Sequence, residues 1–80
     1  MLEQLNTEKK VVGIKQLRRS LKDGAVLCAF AAENADPKLT EPLEEMCKQL
    51  DVAFVWVPTM QELGKACGIS VGAAAAGILA

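Results

Sequence analysis

Two stretches of this chain are apolar almost without interruption, Ala25 to Ala31 (AVLCAFA) and Val52 to Val57 (VAFVWV). Unbroken apolarity, rather than alternation, predicts β-strands covered on both faces. Between them Leu39, Leu43, Met46, Cys47 and Leu50 recur at helical spacing, while Lys38, Glu41, Glu44, Glu45, Lys48 and Gln49 fill the other face. A strand, helix, strand unit of this kind normally makes the two strands parallel. Asp36 with Pro37 can open the helix, but Pro42 fits only a first turn. The pattern therefore predicts an irregular start, with Thr40 as the cap.

A second helix is marked by the capping-box sequence Thr59, Met60, Gln61, Glu62, with Leu63, Ala66 and Cys67 as its inner stripe and Gly68 just past its end. The tail Gly72 to Leu79 is ambiguous, since four alanines favour a helix while the flanking glycines and missing cap oppose one. Context favours a strand whose small side chains let helices pack closely on the sheet. Near the front, Leu2 to Lys9 reads as a short helix, Val11 and Val12 as a short strand, and Ile14 to Asp23 as a helix ended by Gly24. No repeat or linker divides the chain, so residues 1–80 are expected to form one domain. The predicted fold is an α/β three-layer α/β/α sandwich with a mixed central sheet of about four strands.

Composition changes the picture through charge. The formal net charge of −1 conceals a separation: six of the nine basic residues lie between Lys9 and Lys22, no acid interrupts them, and most of the ten acids follow. Such a separation points to a polyanionic partner more than to a small substrate. At 51% hydrophobic and 24% charged residues the chain is globular, not disordered. The longest apolar run, VGAAAAGILA, is too short to span a bilayer, and the expectation is a soluble cytoplasmic protein that does not engage membranes.

On a helical wheel Ile14, Leu17 and Leu21 fall within an arc of roughly 60° and form the buried stripe. Lys15, Arg18, Arg19 and Lys22 share an adjacent arc of about 100°, with Gln16 beside Arg19. Apart from Asp23 at the helix end, no acid lies three or four residues away to offset their mutual repulsion. Gly13 precedes the first turn, where unpaired backbone N–H groups and the helix dipole favour a close-lying anion. A solvated basic face with no specific partner is the plainer reading of such a charge run.

Other chemistries find little support. Cys28, Cys47 and Cys67 stand about twenty residues apart, with no C-x-x-C pair and no histidine in the chain, so neither zinc nor a disulfide framework is expected. They read as buried, reduced thiols; catalysis by Cys67 or Cys28 would need an activating base. Lys65 in GKACG lacks the remainder of a phosphate-binding loop, and no cofactor motif occurs. Phe30, Phe54 and Trp56 all lie in the predicted buried strands, which argues against base-stacking platforms and favours recognition of a shaped, folded RNA or a duplex groove.

Two blocks, VGIKQLRRSLKDG (Val12 to Gly24) and LGKACGISVGAAAA (Leu63 to Ala76), with ADPKLT (Ala35 to Thr40) between them, resemble the ribosomal protein L-seven-Ae family, most closely its small bacterial members. The resemblance covers nearly the whole chain after Lys9. It implies a non-enzymatic protein that binds kink-turn RNA, in which tandem sheared G·A pairs flank a sharp bend in ribosomal or regulatory RNA. Carried over, the family's RNA-contacting stretch begins at Gly13 and reads through Ile14, Lys15, Gln16, Leu17 and Arg18 to Arg19, and Lys22 on the same basic face is expected to join it; archaeal members usually carry Asn and Glu where this chain has Lys15 and Gln16. The second contact of the family corresponds to the loop of Gly68, Ile69, Ser70 and Val71, where Ile69 and Val71 would face a displaced nucleotide and Ser70 stands where many members have an acid. Core packing is the alternative for those two apolar residues. The resemblance is also compatible with a protein-interaction module of the same fold, whose cationic face would meet an acidic protein. A monomer, with the ribosome as one setting, is the expectation.

Overall fold

The computed structural model describes residues 2–6 and 9–80. A 3-10 turn, Leu2–Leu5, comes first, followed by β1 (Lys10–Val12), α1 (Ile14–Lys22), β2 (Val26–Ala32), α2 (Pro37–Leu50), β3 (Ala53–Val57), α3 (Met60–Ala66) and β4 (Ala75–Leu79). The four strands form one sheet in the order β1-β4-β2-β3. Strand β4 is antiparallel to β1 and β2, and β2 is parallel to β3. Helices α1 and α2 bury Leu17, Leu21, Leu43 and Cys47 against one face of the sheet, over Ala29 and Ala75. On the other face α3 and the 3-10 turn bury Leu63, Cys67 and Leu5 against Cys28, Phe30 and Ala76. This is the expected α/β/α sandwich with a mixed four-stranded sheet.

Tertiary packing settles the alanine-rich tail as a strand. Gly77 in β4 lies under Leu17, and a Cβ built there would stand 2.6 Å from Leu17 Cδ1, so a bare backbone is what allows α1 to sit on the sheet. The strand begins at Ala75 rather than Gly72, because the Ala73 N–H donates to the Met60 carbonyl, which ties it to the start of α3. The front of the chain also departs from expectation. A four-residue 3-10 turn takes the place of a helix reaching Lys9, whose Thr7 and Glu8 lie outside the described residues.

Helix α2 corrects four expectations. It runs unbroken from Pro37, with the Asp36 carboxylate accepting the Lys38 N–H at 3.0 Å, so Asp36 is the cap. Thr40 lies inside the helix, buried, its hydroxyl near the Asp36 carbonyl at 3.4 Å. Pro42 falls in the second turn, where burial of Leu43 and Cys47 offsets the hydrogen bond it cannot donate. The inward arc is Thr40, Leu43, Cys47, while Leu39 is 47% exposed and Leu50 is exposed as well.

Strand β2 is buried along nearly its whole length, Leu27 excepted, but β3 is not covered on both faces. As the last strand of the sheet it leaves Trp56 36% exposed, with Phe54 half-buried. The aromatic residues are therefore not all sequestered.

A candidate nucleic-acid interface at one end of the sheet

Strand directions bring four connections to the same end of the sheet: the ends of β1, β2 and β3 and the beginning of β4. The start of α1 and the loop before β4 meet there. Val12 pairs with Ala76, and the Gly13 N–H continues the ladder by donating to the Ala75 carbonyl at 2.8 Å. Two blocks with 38 residues of chain between them thus become neighbours through strand pairing.

Gly13 caps α1 with φ 111° and ψ 157°, a backbone state that side chains disfavour, and makes no side-chain capping bond. The first turn of α1 holds no acid. Its N–H groups and the positive end of the dipole therefore face outward beside Lys15, a combination that repels cations and attracts anions. The Gln16 side chain folds back over Gly13, so that a Cβ on Gly13 would stand 2.7 Å from Gln16 Oε1.

Lys15, Arg18, Arg19 and Lys22 are exposed and line one shallow groove of about 260 Å³. No carboxylate among the described residues pairs with any of them. Their stripe ends in a Schellman motif, in which Gly24, with φ 69°, donates to the Leu21 carbonyl at 3.1 Å and the Ala25 N–H to the Ser20 carbonyl at 3.0 Å. Arg18 also borders a second hollow with Lys38, Leu39, Pro42 and Leu43. Lys38 thereby extends the cationic surface onto α2. The only sequence signal for it was a lone base amid acids.

The loop is built from α3. The Thr59 hydroxyl accepts the Glu62 N–H at 3.1 Å, completing the expected cap. At the other end Gly68, with φ 80°, donates to the Lys65 carbonyl at 3.0 Å and the Ile69 N–H to the Gly64 carbonyl at 3.1 Å, a second Schellman motif. This turn projects Ile69, Ser70 and Val71 outward; Ile69 is 37% exposed and Val71 68%, so neither is core.

Gly64 escaped the sequence reading. A Cβ there would collide with the Val71 carbonyl, so the loop lies directly on the α3 backbone. The Asn34 side-chain carbonyl accepts the Met60 N–H at 2.8 Å and holds α3 to the end of β2. These contacts fix the loop against α3 without a large apolar core of its own.

The three thiols take no part in this surface. Burial pushes all three upward, Cys47 to about 11 with Cys28 and Glu44 adding to the effect, so thiolate is scarce at neutral pH. Among the described residues no cluster of acids and cysteines could hold a metal ion, and no helix is long and apolar enough to cross a membrane.

The architecture defines a small α/β/α protein with an open, cation-flanked helix start. The chain belongs to the ribosomal protein L7Ae/L30e/S12e/Gadd45 family, whose sequence profile matches residues 2–80. It is 45% identical over 75 residues to an RNA-binding protein of Geobacillus sp. (strain WCH70), spanning 94% of this chain and 92% of that one. With the RNA-binding protein YbxF of Geobacillus stearothermophilus the identity is 41%, over the same shares of the two chains. The structure of a Giardia lamblia 15.5 kD RNA binding protein matches the fold with a TM-score of 0.91 at 23% identity, covering 99% of this chain and 70% of that chain.

Proposed function

We propose that this protein is a non-enzymatic RNA-binding protein that recognises a kink-turn or a related kinked internal loop, in ribosomal or regulatory RNA. The observation that supports the reading is the uncapped, cation-flanked start of α1, whose Gly13 N–H donates to the Ala75 carbonyl of the strand that follows the exposed apolar turn. The names of its bacterial relatives point the same way.

A sharp bend crowds phosphates, so the kinked form is disfavoured until cations screen it. In this reading Arg18, Arg19 and Lys22 supply that charge, and the bare backbone at Gly13 admits a phosphate to the first-turn amides. Lys15 donates to guanine O6 and N7, and Gln16 swings from Gly13 to meet the G·A edges. Ile69 and Val71 cover an unstacked base while Ser70 adds no repelling charge. The protein selects and holds the bent form, acting as a monomer in the cytoplasm.

The test is titration of a kink-turn stem against the same stem with its G·A pairs changed to Watson–Crick pairs. The kinked stem should bind tighter by at least about tenfold, with log affinity falling against log salt at a slope of about −3 for four phosphate contacts. Lys15→Ala with Arg19→Ala should remove about 2 to 6 kcal/mol of binding while leaving thermal unfolding unchanged. Equal binding of the two stems by the parent protein would refute the reading and favour a protein-interaction module.

A further inference from the structure

The acidic surface beside β3 lies outside the proposed RNA interface, yet it is organised. A hollow of about 310 Å³ opens beside β3, lined by Glu33, Glu41, Glu44, Pro37 and Trp56 among others, with no Lys or Arg in its wall. We infer that this hollow is a docking site for an arginine-bearing extended segment of a partner protein.

Trp56 is the chain's single tryptophan and stands exposed at the sheet's outer strand. Its indole is fixed in place: Nε1 donates to Glu44 Oε2 at 3.1 Å, and Phe54 meets it edge-on at 5.1 Å and 79°. A held indole face loses little freedom when a cation stacks on it. Glu33 and Glu41 are exposed, and among the described residues neither carboxylate has a hydrogen-bond or ion-pair partner. Charge complementarity therefore selects a cationic occupant and rejects nucleic acid. Guanidinium suits the hollow better than ammonium, because it stacks on an indole and forks onto carboxylates together. The position favours an extended segment over a free cation, since β3 is the last strand and its outer main-chain groups face no partner strand.

The experiment uses the full chain and the intrinsic fluorescence of Trp56. The probe is the end-blocked peptide Arg-Thr-Arg-Thr-Arg-Thr, compared with its Lys-for-Arg counterpart. Saturable change in the emission is expected, with the lysine peptide weaker by about threefold or more. Glu33→Gln with Glu41→Gln, which leaves the indole and its Glu44 bond in place, should weaken the arginine peptide by about tenfold. Lys15→Ala with Arg19→Ala should leave peptide binding unchanged, so this test stands or falls apart from the RNA titration. Unchanged affinity in the glutamine variant, or equal affinity for both peptides, would overturn the inference. Sedimentation equilibrium of the protein alone supplies a further check: a dimer abolished by the same glutamine variant would assign the hollow to a second copy's basic face, and overturn it too.

Discussion

Helices α1 and α2 lie side by side on the same face of the sheet, yet one begins open and the other closed. Asp36 caps the first turn of α2 by accepting the Lys38 N–H with its carboxylate, and the exposed surface beyond it mixes Glu41 and Glu45 with Lys38 and Lys48. Gly13 offers α1 no side chain at all, and the exposed surface that follows carries four cations that no carboxylate among the described residues pairs. Both helices meet the core through a narrow buried stripe, Leu17 and Leu21 in one, Thr40, Leu43 and Cys47 in the other. Folding thus constrains the stripes alike and leaves the remaining surfaces free to differ. An uncapped helix start, a helix dipole and cations of the same sign make α1 the place where an anion is stabilised.

The comparison can be broken most forcefully at the stripes. Leu43→Ala should destabilise the protein by about 2 to 5 kcal/mol, whereas Leu39→Ala, on the exposed side of the same helix, should stay within about 0.5 kcal/mol in denaturant titration. Similar losses at both sites would mean that α2 is rotated from the arrangement described. A smaller effect is expected at the helix starts. Gly13→Ala should cost about 1 to 3 kcal/mol, because the Gln16 side chain can swing aside but a φ of 111° cannot be relaxed without losing the Ala75 bond. Asp36→Ala removes one capping bond and should cost about 1 kcal/mol. If Asp36 proved the more sensitive, the contrast between a strained open start and a capped one would fail.

The last distinction is in pH dependence. No ionisable group lies among the buried residues of α1, while α2 buries Cys47, whose thiol is pushed up to about 11. An unfolded chain ionises this thiol first, so as pH rises from about 9 towards the folded value the unfolded state binds fewer protons and stability declines. The contribution is complete below that window and should fall by up to about 1.4 kcal/mol per pH unit within it. Cys47→Ala should flatten that component of the alkaline slope in chemical denaturation, and an unaltered slope would reject it.

Much of the architecture was legible in residue order. The parallel β2–β3 pair, the Thr59 cap and the glycines that stop α1 and α3 follow from local rules, because a cap or a left-handed glycine acts on its own turn. The candidate site was legible in pieces: the cations of α1 fell on one face of the wheel, but nothing local indicated that the strand after residues 68–74 would bond to Gly13 through Ala75. Lys38 and Gly64 were missed because each matters through an element distant in sequence, Lys38 through α1 and Gly64 through the loop carbonyl of Val71. Trp56 was misjudged for the same reason, since an apolar run does not say whether its strand is central or last.

The chain alone determined periods, stops and the sign of charge on each helix, all of which are properties of one element and its neighbours along the backbone. Only the folded molecule decided that the alanine tail is a strand, that Thr40 rather than Leu39 turns inward, and that β3 leaves an indole in solvent. Those outcomes depend on what lies across the contact: Gly77 admits Leu17, α2 settles by the partners available to it, and the sheet ends where no further strand can pair.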